Sequence, residues 1–579
     1  MGAGEGIGSN GWVVGPAKSA TGKPILAGDP HLAVGIPGVW YQSSLRCRTV
    51  SSACPFDVTG FALAGVPGIV IGHNAQIAWT LTNLPADVTD FYLEKITDTT
   101  YLKDGKQQPL AVSTELIKVR GGEDITITVR RTGHGPVISD VVGAAAEVGR
   151  RPVVGGVLQQ QSYAVSIAWA GLVPSATADA IFALDLASDF TAFRAGAKSF
   201  AVPAQNLLYA DVSGNIGYQA PGLIPVRRAS TPGAPPGYLP SPGWDSQWDW
   251  QGWVAFEDLP WTLNPPDGVI VAANQQVTAS ATPFLTSEWD YGWRSQRIRE
   301  LLADTPRLTV ADMARIQGDT RNQFAPTLVA ALLSIDLSGD PFTREAQDLL
   351  RTWDFTQPAD TQPASAAAAY YNAVWSRLLQ ATFDDQLPPD LRADGGGRWW
   401  MAVSALLVNS ANPWWDDKRT PSIVENRDEI LTRALVQARL DLTRSLGSNI
   451  AKWSWGRLHS LTLVHPVLGS DGIPGIIQSL ADRGPVGVSG GSSIVAATAW
   501  DATKGYAVRS GPTMRMVVDL ADLDASTWVT LTGASGHPGH PNYADQVGAW
   551  ADGTTYSWPF TDPSVTAAKV EELRLVPKP

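Results

Sequence analysis

The sequence predicts an α+β protein of 579 residues in which a helical insertion interrupts a sheet-forming domain. Residues 9–288 carry short runs of β-type residues separated by turn residues, and residues 452–579 return to this pattern. Residues 289–451 contain Ala-rich helical stretches instead, such as 364–369. We therefore expect sheet-forming halves at 9–288 and 452–579, with 289–451 inserted between them.

The first half begins with a predicted strand–turn–strand unit. Residues 12–14 and 24–27 are the strands, and Ser19–Lys23 is the turn. Ala-rich periodicity predicts helix over 176–199. Further strands are predicted at 61–63, 68–71, 77–80, 91–93 and 124–129, another strand–turn–strand unit at 203–218, and a long Pro/Gly/Trp-rich loop at 229–266.

Composition narrows the classes of function. With 17% charged and 44% hydrophobic residues, the chain is globular rather than disordered. A net charge of −12 provides no basic face for nucleic acid. No apolar run reaches the roughly 18–20 residues of a membrane helix. Residues 1–8 lack the features of a signal peptide and are predicted to form a flexible Gly-rich linker.

The cysteines and tryptophans give two weaker indications, one about cellular location and one about the size of the substrate. Cys47 and Cys54 lie close enough in sequence for a local disulfide, which fits an exported protein, and two buried thiols are the alternative. Neither a Cys-x-x-Cys motif nor paired histidines point to a metal site. The 23 tryptophans fit a large core with aromatic-lined clefts for bulky substrates.

The segment Gly8-Ser9-Asn10-Gly11 is the candidate centre of the chemistry. On its own it is typical of a flexible polar turn. If the bond after Gly8 were cut, however, Ser9 would carry a nucleophile and a base on one residue. Its hydroxyl would attack, and its α-amine, whose ordinary pKa is about 7.7–8, would take the proton. Gly8 has no side chain to obstruct such a cut.

Six segments in order support the second interpretation. Together they resemble the β-chain region of penicillin acylases, which are N-terminal-nucleophile hydrolases, across nearly all of 9–579. The segments are Ser9–Val14 with 21–32, Gly72–Thr80 with 87–90, Gln205–Asp211 with 214–217, Val271–Gln275, Arg294–Ile298, and Gly533–Pro538 with 542–546.

This resemblance implies a fold and a partner. The fold would be the four-layer αββα sandwich of N-terminal-nucleophile hydrolases, with the helical insertion between its sheet-forming halves. Precursors in the family carry an α chain and a spacer before the serine. Residues 1–8 would then be a spacer remnant, residues 9–579 the β chain, and a missing α chain would complete a heterodimer and part of the acyl pocket.

The resemblance also implies roles for individual residues. Ser9 would be the nucleophile, and His31 would orient it by bonding to its backbone or amine, unless His31 is simply a satisfied buried histidine. The oxyanion would be held by the Asn83 backbone N–H and the Asn274 side-chain amide, the donors that acyl transfer requires. Asn274 is otherwise a common turn former.

An arginine near the serine amine is the remaining expected member of the site. Arg297 matches this arginine, which would lower the pKa of the amine and keep it a free base. The alternative for Arg297 is a helix-surface side chain paired with Glu300. Arg294 is the rival assignment for the arginine.

A structural calcium ion is also implied, though not for the chemistry itself. Asp87, the Thr89 carbonyl and Asp90 match family positions that help to bind calcium, and oxygen ligands suit that ion. One acidic ligand would come from the α chain, and an ordinary acidic turn is the alternative. His73, His459, His465, His537 and His540 are expected to be packing or loop residues.

The implied activity is hydrolysis of an N-acyl amide of the penicillin type by an N-terminal serine freed by autocleavage between Gly8 and Ser9. Leu32, where relatives often carry a bulky aromatic residue, suggests a roomier acyl site. One alternative is an acyl-homoserine lactone acylase with the same machinery. Another is an uncleaved, silent or binding protein. The family and the cysteine pair imply a periplasmic or secreted location.

Overall fold

The computed structural model describes residues 8–154, 157–228 and 236–576, so all of the predicted spacer except Gly8 lies outside the described residues. Strands dominate both ends of the chain. They are β1 Ser9–Val14, β2 Ile25–Ala33, β3 Trp40–Arg46, β4 Asp57–Leu63, β5 Ile71–Asn74, β6 Ile77–Asn83, β7 Thr89–Glu94, β8 Thr100–Lys103, β9 Lys106–Pro109, β10 Ala111–Ile117, β11 Ile125–Arg131, β12 Val153–Val154, β13 Val157–Leu158, β14 Ala164–Trp169, β15 Gln205–Asp211, β16 Ile216–Gln219, β17 Ser241–Pro242, β18 Trp261–Leu263, β19 Val269–Ala272, β20 Ser460–Leu463, β21 Arg483–Gly487, β22 Ala499–Asp501, β23 Gly505–Pro512, β24 Met514–Asp519, β25 Thr527–Thr530 and β26 Tyr556–Ser557.

Most of the helical residues lie within the predicted insertion. The helices are α1 Gly143–Arg150, α2 Thr177–Asp185, α3 Phe190–Ala197, α4 Trp293–Asp304, α5 Val310–Gln317, α6 Ala325–Leu333, α7 Pro341–Gln347, α8 Ala364–Phe383, α9 Gly397–Leu407, α10 Arg427–Leu446, α11 Trp455–Leu458, α12 Gly475–Ala481, α13 Val547–Asp552 and α14 Asp562–Ala568.

Two antiparallel sheets form the centre of the molecule. The first has the order β19-β1-β2-β24-β25-β26, with β23 pairing with β2 and β22. The second has the order β18-β16-β15-β6-β5-β4-β3. Strands from the two ends of the sequence meet in the first sheet, where Leu26 of β2 pairs with Val518 of β24. The two sheet-forming segments thus build one sheet.

Alternating side chains of β1 face two different cores, which places the sheets face to face between helices. Val13 belongs to a core with Phe61 and Leu208 of the second sheet, whereas Trp12 and Val14 pack against helices α4 and α5. The second sheet covers its outer face with α2 and α3, for example through Phe193. The layers are therefore helix, sheet, sheet, helix, as the αββα prediction requires.

The helices of the inserted segment have a core of their own. Helix α8 is buried along almost its whole length, and it packs against α10 and α6 with Trp375 and Tyr370 in the interior. Asn426 caps α10 through a capping box with Glu429, which fixes where that helix begins. This core, to which Ile494 and Trp500 of the later segment also contribute, is distinct from the cores that cover the two sheets.

Local contacts explain two differences from the predicted elements. Residues 68–70 precede strand β5 instead of forming part of a strand, because Gly68 packs against Ile181 and the Ile69 N–H donates to Asp185. The predicted helix over 176–199 is two helices, because Asp189 caps a new helix by accepting from the Ala192 N–H.

The two cysteines form a disulfide that closes a short loop between β3 and β4. Cys47 and Cys54 are bonded, with their Cα atoms 5.8 Å apart. Such bonds persist in oxidising compartments. Within the described residues, no helix has the length and apolar composition needed to cross a membrane.

Candidate active site

Ser9 and Asn274 lie side by side because of the register of the first sheet. Ser9 begins β1, which runs between β2 and β19, and Gly11 pairs with Ala272 of β19. Because these strands are antiparallel, Ser9, two residues before Gly11, lies opposite Asn274, two residues after Ala272. Asn274 has a positive φ of 69°, a conformation that Asn tolerates better than most residues. This turn directs its side chain back towards Ser9.

The Asn274 side chain connects the start of β1 to the second sheet. Its Oδ1 accepts a hydrogen bond from the Ser9 N–H at 2.8 Å, and its Nδ2 donates to the Asn83 carbonyl at 2.6 Å. Asn83 ends β6, and its carbonyl also accepts from Asn206. The structure therefore brings together Ser9, Asn83 and Asn274. Whether Asn83 and Asn274 hold an oxyanion stays a prediction.

The cation at this centre is Arg294, which corrects the preferred assignment of Arg297. Arg294 Nη1 donates to the Ser9 carbonyl at 3.0 Å and to Asn10 Oδ1 at 2.8 Å. Its Nη2 donates to Asn274 Oδ1 at 2.9 Å and to Asp290 at 3.0 Å. The Asp290 N–H in turn donates to the Asn274 carbonyl, so the loop that carries Asn274 also fixes the arginine.

Arg297 has other partners, although it lies one helical turn further along α4. It donates to both carboxylate oxygens of Asp319, at 3.1 and 2.9 Å, and lies 3.5 Å from Glu300. The predicted surface pair with Glu300 is thus present, together with a stronger pair to Asp319. A bidentate ion pair of this kind fixes the side chain away from Ser9.

His31 reaches the start of β1 through its backbone rather than its ring. Its N–H donates to the Gly8 carbonyl at 2.8 Å. Its ring Nε2 lies 2.8 Å from Asp29 Oδ2 and 3.3 Å from Asn10 Nδ2. Because a carboxylate only accepts, Nε2 carries the proton. Burial lowers the pKa of His31 below its ordinary value, against the opposing effect of Asp29, so the ring is neutral near neutral pH.

Gly8 is tightly enclosed by the same side chains. A Cβ atom at Gly8 would lie 2.5 Å from Asn274 Oδ1 and 2.8 Å from Arg294 Nη2. Both distances are well below van der Waals contact, so a larger residue would displace the two side chains that bond to Ser9. The site thus explains physically why the residue before Ser9 is glycine.

A cleft of about 660 Å³ opens beside these residues. His31, Asn83, Asn274 and Arg294 line it, together with Gly397 and Arg398 of helix α9. The volume is that of a small-molecule site. The inserted helices therefore contribute to the walls of the candidate site.

The three residues predicted to bind calcium lie together, but an arginine occupies the space between the carboxylates. Arg227 Nε donates to Asp90 Oδ2 at 2.7 Å, and its Nη2 lies 3.2 Å from Asp87 Oδ1. Thr89 begins β7 between these residues. Among the residues that the structure describes, no group of three or more acidic, His or Cys side chains could hold a metal. The carboxylates present do not fit a calcium ion.

The other histidines form local contacts. His459 bonds to the Tyr506 carbonyl and to Thr498, and burial lowers its pKa to about 4. His73 is buried with a similarly lowered pKa. His465, His537 and His540 accept hydrogen bonds from backbone N–H groups in turns.

Asn10, Asp29 and Asp290 also contact residues around Ser9 but were not predicted. Asn10 and Asp29 lie in matched motifs, and the segment that carries Asp290 gave no signal.

Comparison with known sequences shows which family this chain matches. A family model described as penicillin amidase matches residues 3–567. A penicillin acylase 2 proenzyme from Pseudomonas sp. (strain SE83) is 31% identical over 99% of this chain and 69% of its own length. The acyl-homoserine lactone acylase QuiP of Pseudomonas aeruginosa is 29% identical over 95% of this chain and 66% of its own length. The chain thus spans about two thirds of the length of these relatives.

Comparison with solved structures supports the fold. A thermostable penicillin G acylase from Alcaligenes faecalis superimposes with a TM-score of 0.71, covering 99% of this chain and 100% of that one at 22% identity. At this identity the similarity is one of fold. It agrees with the helix–sheet–sheet–helix layers described above.

Proposed function

Because the chain belongs to the penicillin amidase family, we propose that it hydrolyses N-acyl amides with Ser9 as the nucleophile, after cleavage between Gly8 and Ser9. The observation that carries this proposal is the set of hydrogen bonds around the Ser9 nitrogen. Asn274 Oδ1 accepts from that nitrogen, and Arg294 donates to both Asn274 and the Ser9 carbonyl. A hydrogen-bonded nitrogen beside a fixed cation is the environment that a catalytic α-amine needs.

The cleavage would use the same residues. The Ser9 hydroxyl attacks the Gly8 carbonyl carbon, the bond from that carbon to the Ser9 nitrogen breaks, and the acyl group passes to oxygen as an ester. The proton of the hydroxyl passes to the departing nitrogen, which becomes the free α-amine, and water then hydrolyses the ester, which releases the Gly8 carboxylate and restores the Ser9 hydroxyl. The His31 N–H, 2.8 Å from the Gly8 oxygen, is placed to stabilise the negative charge that develops there. The related proenzyme is consistent with such processing.

Substrate hydrolysis follows the same course with an external amide. The Ser9 hydroxyl attacks the carbonyl carbon and its proton passes to the α-amine. The Asn83 N–H and Asn274 Nδ2 hold the oxyanion, and the amine product leaves with a proton. Water then releases the acid from the acyl-serine. Arg294 keeps the pKa of the α-amine low enough for it to act as a base.

Two acyl-amide classes are the candidate substrates. One is the penicillin type, and the other is N-acyl-homoserine lactone, after the two kinds of relative. Leu32, half-buried beside His31, would leave room for a longer acyl group than an aromatic residue would. A catalytically silent or binding protein remains the alternative from another class, and it requires an intact Gly8–Ser9 bond.

We propose an α chain as the partner, in a heterodimer, and a periplasmic or secreted location. The related penicillin acylase 2 is named as a proenzyme, which supports the first proposal. The Cys47–Cys54 disulfide supports the second, because such bonds are rare in reducing compartments.

The test combines mass with turnover. Intact mass and N-terminal sequencing of the purified protein should show a chain that starts at Ser9. That protein should release the acid from an N-phenylacetyl amide or from an N-acyl-homoserine lactone, and its Ser9→Ala variant should release none. A Ser9 start without turnover of either class would contradict the substrate assignment. An intact Gly8–Ser9 bond would favour the silent protein.

A further inference from the structure

A cluster of charged residues away from Ser9, formed by Asp87, Asp90 and Arg227, lies where the chain leaves the second sheet and enters strand β7. Asp87 lies between β6 and β7, Asp90 is the second residue of β7, and Arg227 comes from the segment after β16. Two backbone hydrogen bonds between Val226 and its neighbours Gln251 and Gly252 fix the arginine segment there. The cluster therefore joins three separate stretches of chain.

The guanidinium of Arg227 donates hydrogen bonds to three oxygen atoms. Nε donates to Asp90 Oδ2 at 2.7 Å, and Nη2 lies 2.9 Å from the Asp87 carbonyl oxygen and 3.2 Å from Asp87 Oδ1. The side chains of Arg227 and Asp90 are only 5% and 6% exposed. Carboxylate and carbonyl oxygens of this kind are the ligands that calcium takes in proteins.

Neighbouring residues close the space around this cation. Trp250 Nε1 donates to the same Asp90 oxygen, and its ring lies 5.8 Å from the guanidinium carbon. Gly237 packs so closely that a Cβ there would lie 2.3 Å from Asp90 Oδ1 and 2.9 Å from Arg227 Nε. Protein atoms therefore enclose Asp90 and the Arg227 side chain, whereas the Asp87 side chain keeps 28% of its surface exposed.

A calcium ion and this guanidinium cannot share the position. Calcium binds six to eight oxygen atoms at about 2.3–2.6 Å. Here the arginine uses three of the nearest oxygens, and its own positive charge would repel a divalent cation. The guanidinium already supplies the positive charge that the buried Asp90 carboxylate and the partly buried Asp87 carboxylate require.

We propose that Arg227 is a built-in counter-ion that replaces a divalent metal at the Asp87–Asp90 pair, so that the junction of the second sheet with β7 is stable without calcium. This inference does not rest on the proposed amidase function, because the pair lies outside the Ser9 cluster.

The experiment compares melting temperatures of the wild-type protein in EDTA and in calcium chloride. The two values should coincide. Terbium, a calcium substitute whose emission a nearby tryptophan excites, should give no sensitised signal from Trp250. A lower melting temperature in EDTA that calcium restores would overturn the proposal, and so would a saturable terbium signal from Trp250, identified by its loss in Trp250→Phe.

A charge-removing variant tests the counter-ion role directly. Arg227→Gln should melt several degrees below wild type in EDTA, because the buried Asp90 carboxylate and the partly buried Asp87 carboxylate lose their cation. Arg228→Gln, a neighbouring exposed arginine that contacts Gln247, is the matched control and should melt as wild type. An Arg227→Gln protein that melts with wild type would overturn the proposal. If that variant does not fold, the wild-type EDTA and terbium measurements decide the question alone.

Discussion

Arg294 donates a hydrogen bond to the carbonyl oxygen of Ser9 at 3.0 Å, across 285 residues of sequence. The same guanidinium contacts Asn274, so one side chain fixes the two residues on which the proposed chemistry depends. Arg297, three residues later, contacts Asp319 instead. Two arginines on one helix therefore have separable roles.

Replacing each arginine by glutamine should separate these roles. Arg294→Gln removes the cation beside the serine amine and should lower turnover by about 10²-fold or more, since electrostatic groups at an active site contribute on this scale. Arg297→Gln breaks an ion pair with Asp319 and should lower the melting temperature with turnover close to wild type. Steady-state kinetics and thermal melting of both variants check this. Equal losses of turnover would contradict the assignment of Arg294.

Asn274→Asp should remove the oxyanion donor without removing the acceptor. An aspartate keeps an oxygen for the Ser9 nitrogen and for Arg294, but it loses Nδ2 and adds a negative charge where the oxyanion forms. Turnover should fall by about 10²–10³-fold or more. Gln276→Glu, an exposed residue of the same cleft, is the control for charge and should retain most activity. Near-normal turnover of Asn274→Asp would exclude the donor role.

Gly8→Ala should slow or stop processing. The added Cβ would come within 2.5 Å of Asn274 Oδ1 and displace the side chains that bond to Ser9. Intact mass over time measures the fraction cleaved. Gly548→Ala is the matched control, because a Cβ there meets open space. Since Gly8 is absent from the cleaved product, any effect reports on the cleavage step, and cleavage at the wild-type rate would refute the steric argument.

Asp185→Asn should change how stability depends on pH. Burial raises the pKa of Asp185 from 3.8 to about 7, partly offset by the Ile69 N–H. Between pH 4 and 7 the unfolded chain loses this proton while the folded protein keeps it, so the contribution of Asp185 to the free energy of unfolding falls as pH rises, by up to about 4 kcal/mol.

The Asp185→Asn variant has no titratable proton at this position, and its amide oxygen can still accept a hydrogen bond from the Ile69 N–H. Its free energy of unfolding relative to wild type should therefore increase from pH 4 to pH 8, as measured by denaturant titration. Asp179→Asn, an exposed residue on the same helix α2, should show no such trend. A constant difference between Asp185→Asn and wild type would show that the pKa of Asp185 is the same in the folded and unfolded protein, and would contradict the raised value.

Local patterns indicated strands and helices, and the resemblance to penicillin acylases implied the αββα layers and the expected site residues. Neither could predict which side chains pair over long distances in the sequence. Alternating hydrophobic residues indicated the strands, and the order of motifs placed Ser9, Asn83 and Asn274 in one site. Arg294 and Arg297 are three residues apart on one helix, and sequence alone cannot choose between them. Asp290 and Asp319, which lie in different loops, determine which arginine faces Ser9.

The role of Arg227 lay beyond sequence reasoning for a similar reason. It is 137 residues from Asp90 in the sequence. The resemblance of the Asp87–Asp90 motif to the family says nothing about whether a cationic side chain lies beside it. Only the packing of two distant segments reveals that a guanidinium lies between the carboxylates. Non-local ion pairs of this kind leave no periodic signal in a sequence.

The central position of β1 has a consequence for the new chain end. Chain termini usually fray, because nothing holds them. Here strands β2 and β19 flank β1 on both sides, and Ser9 pairs with Pro30 in the last register position. A cut before Ser9 would thus create an amino terminus whose freedom is already lost in folding. The protein would meet the entropic cost of positioning its base once, during folding, and not in each turnover.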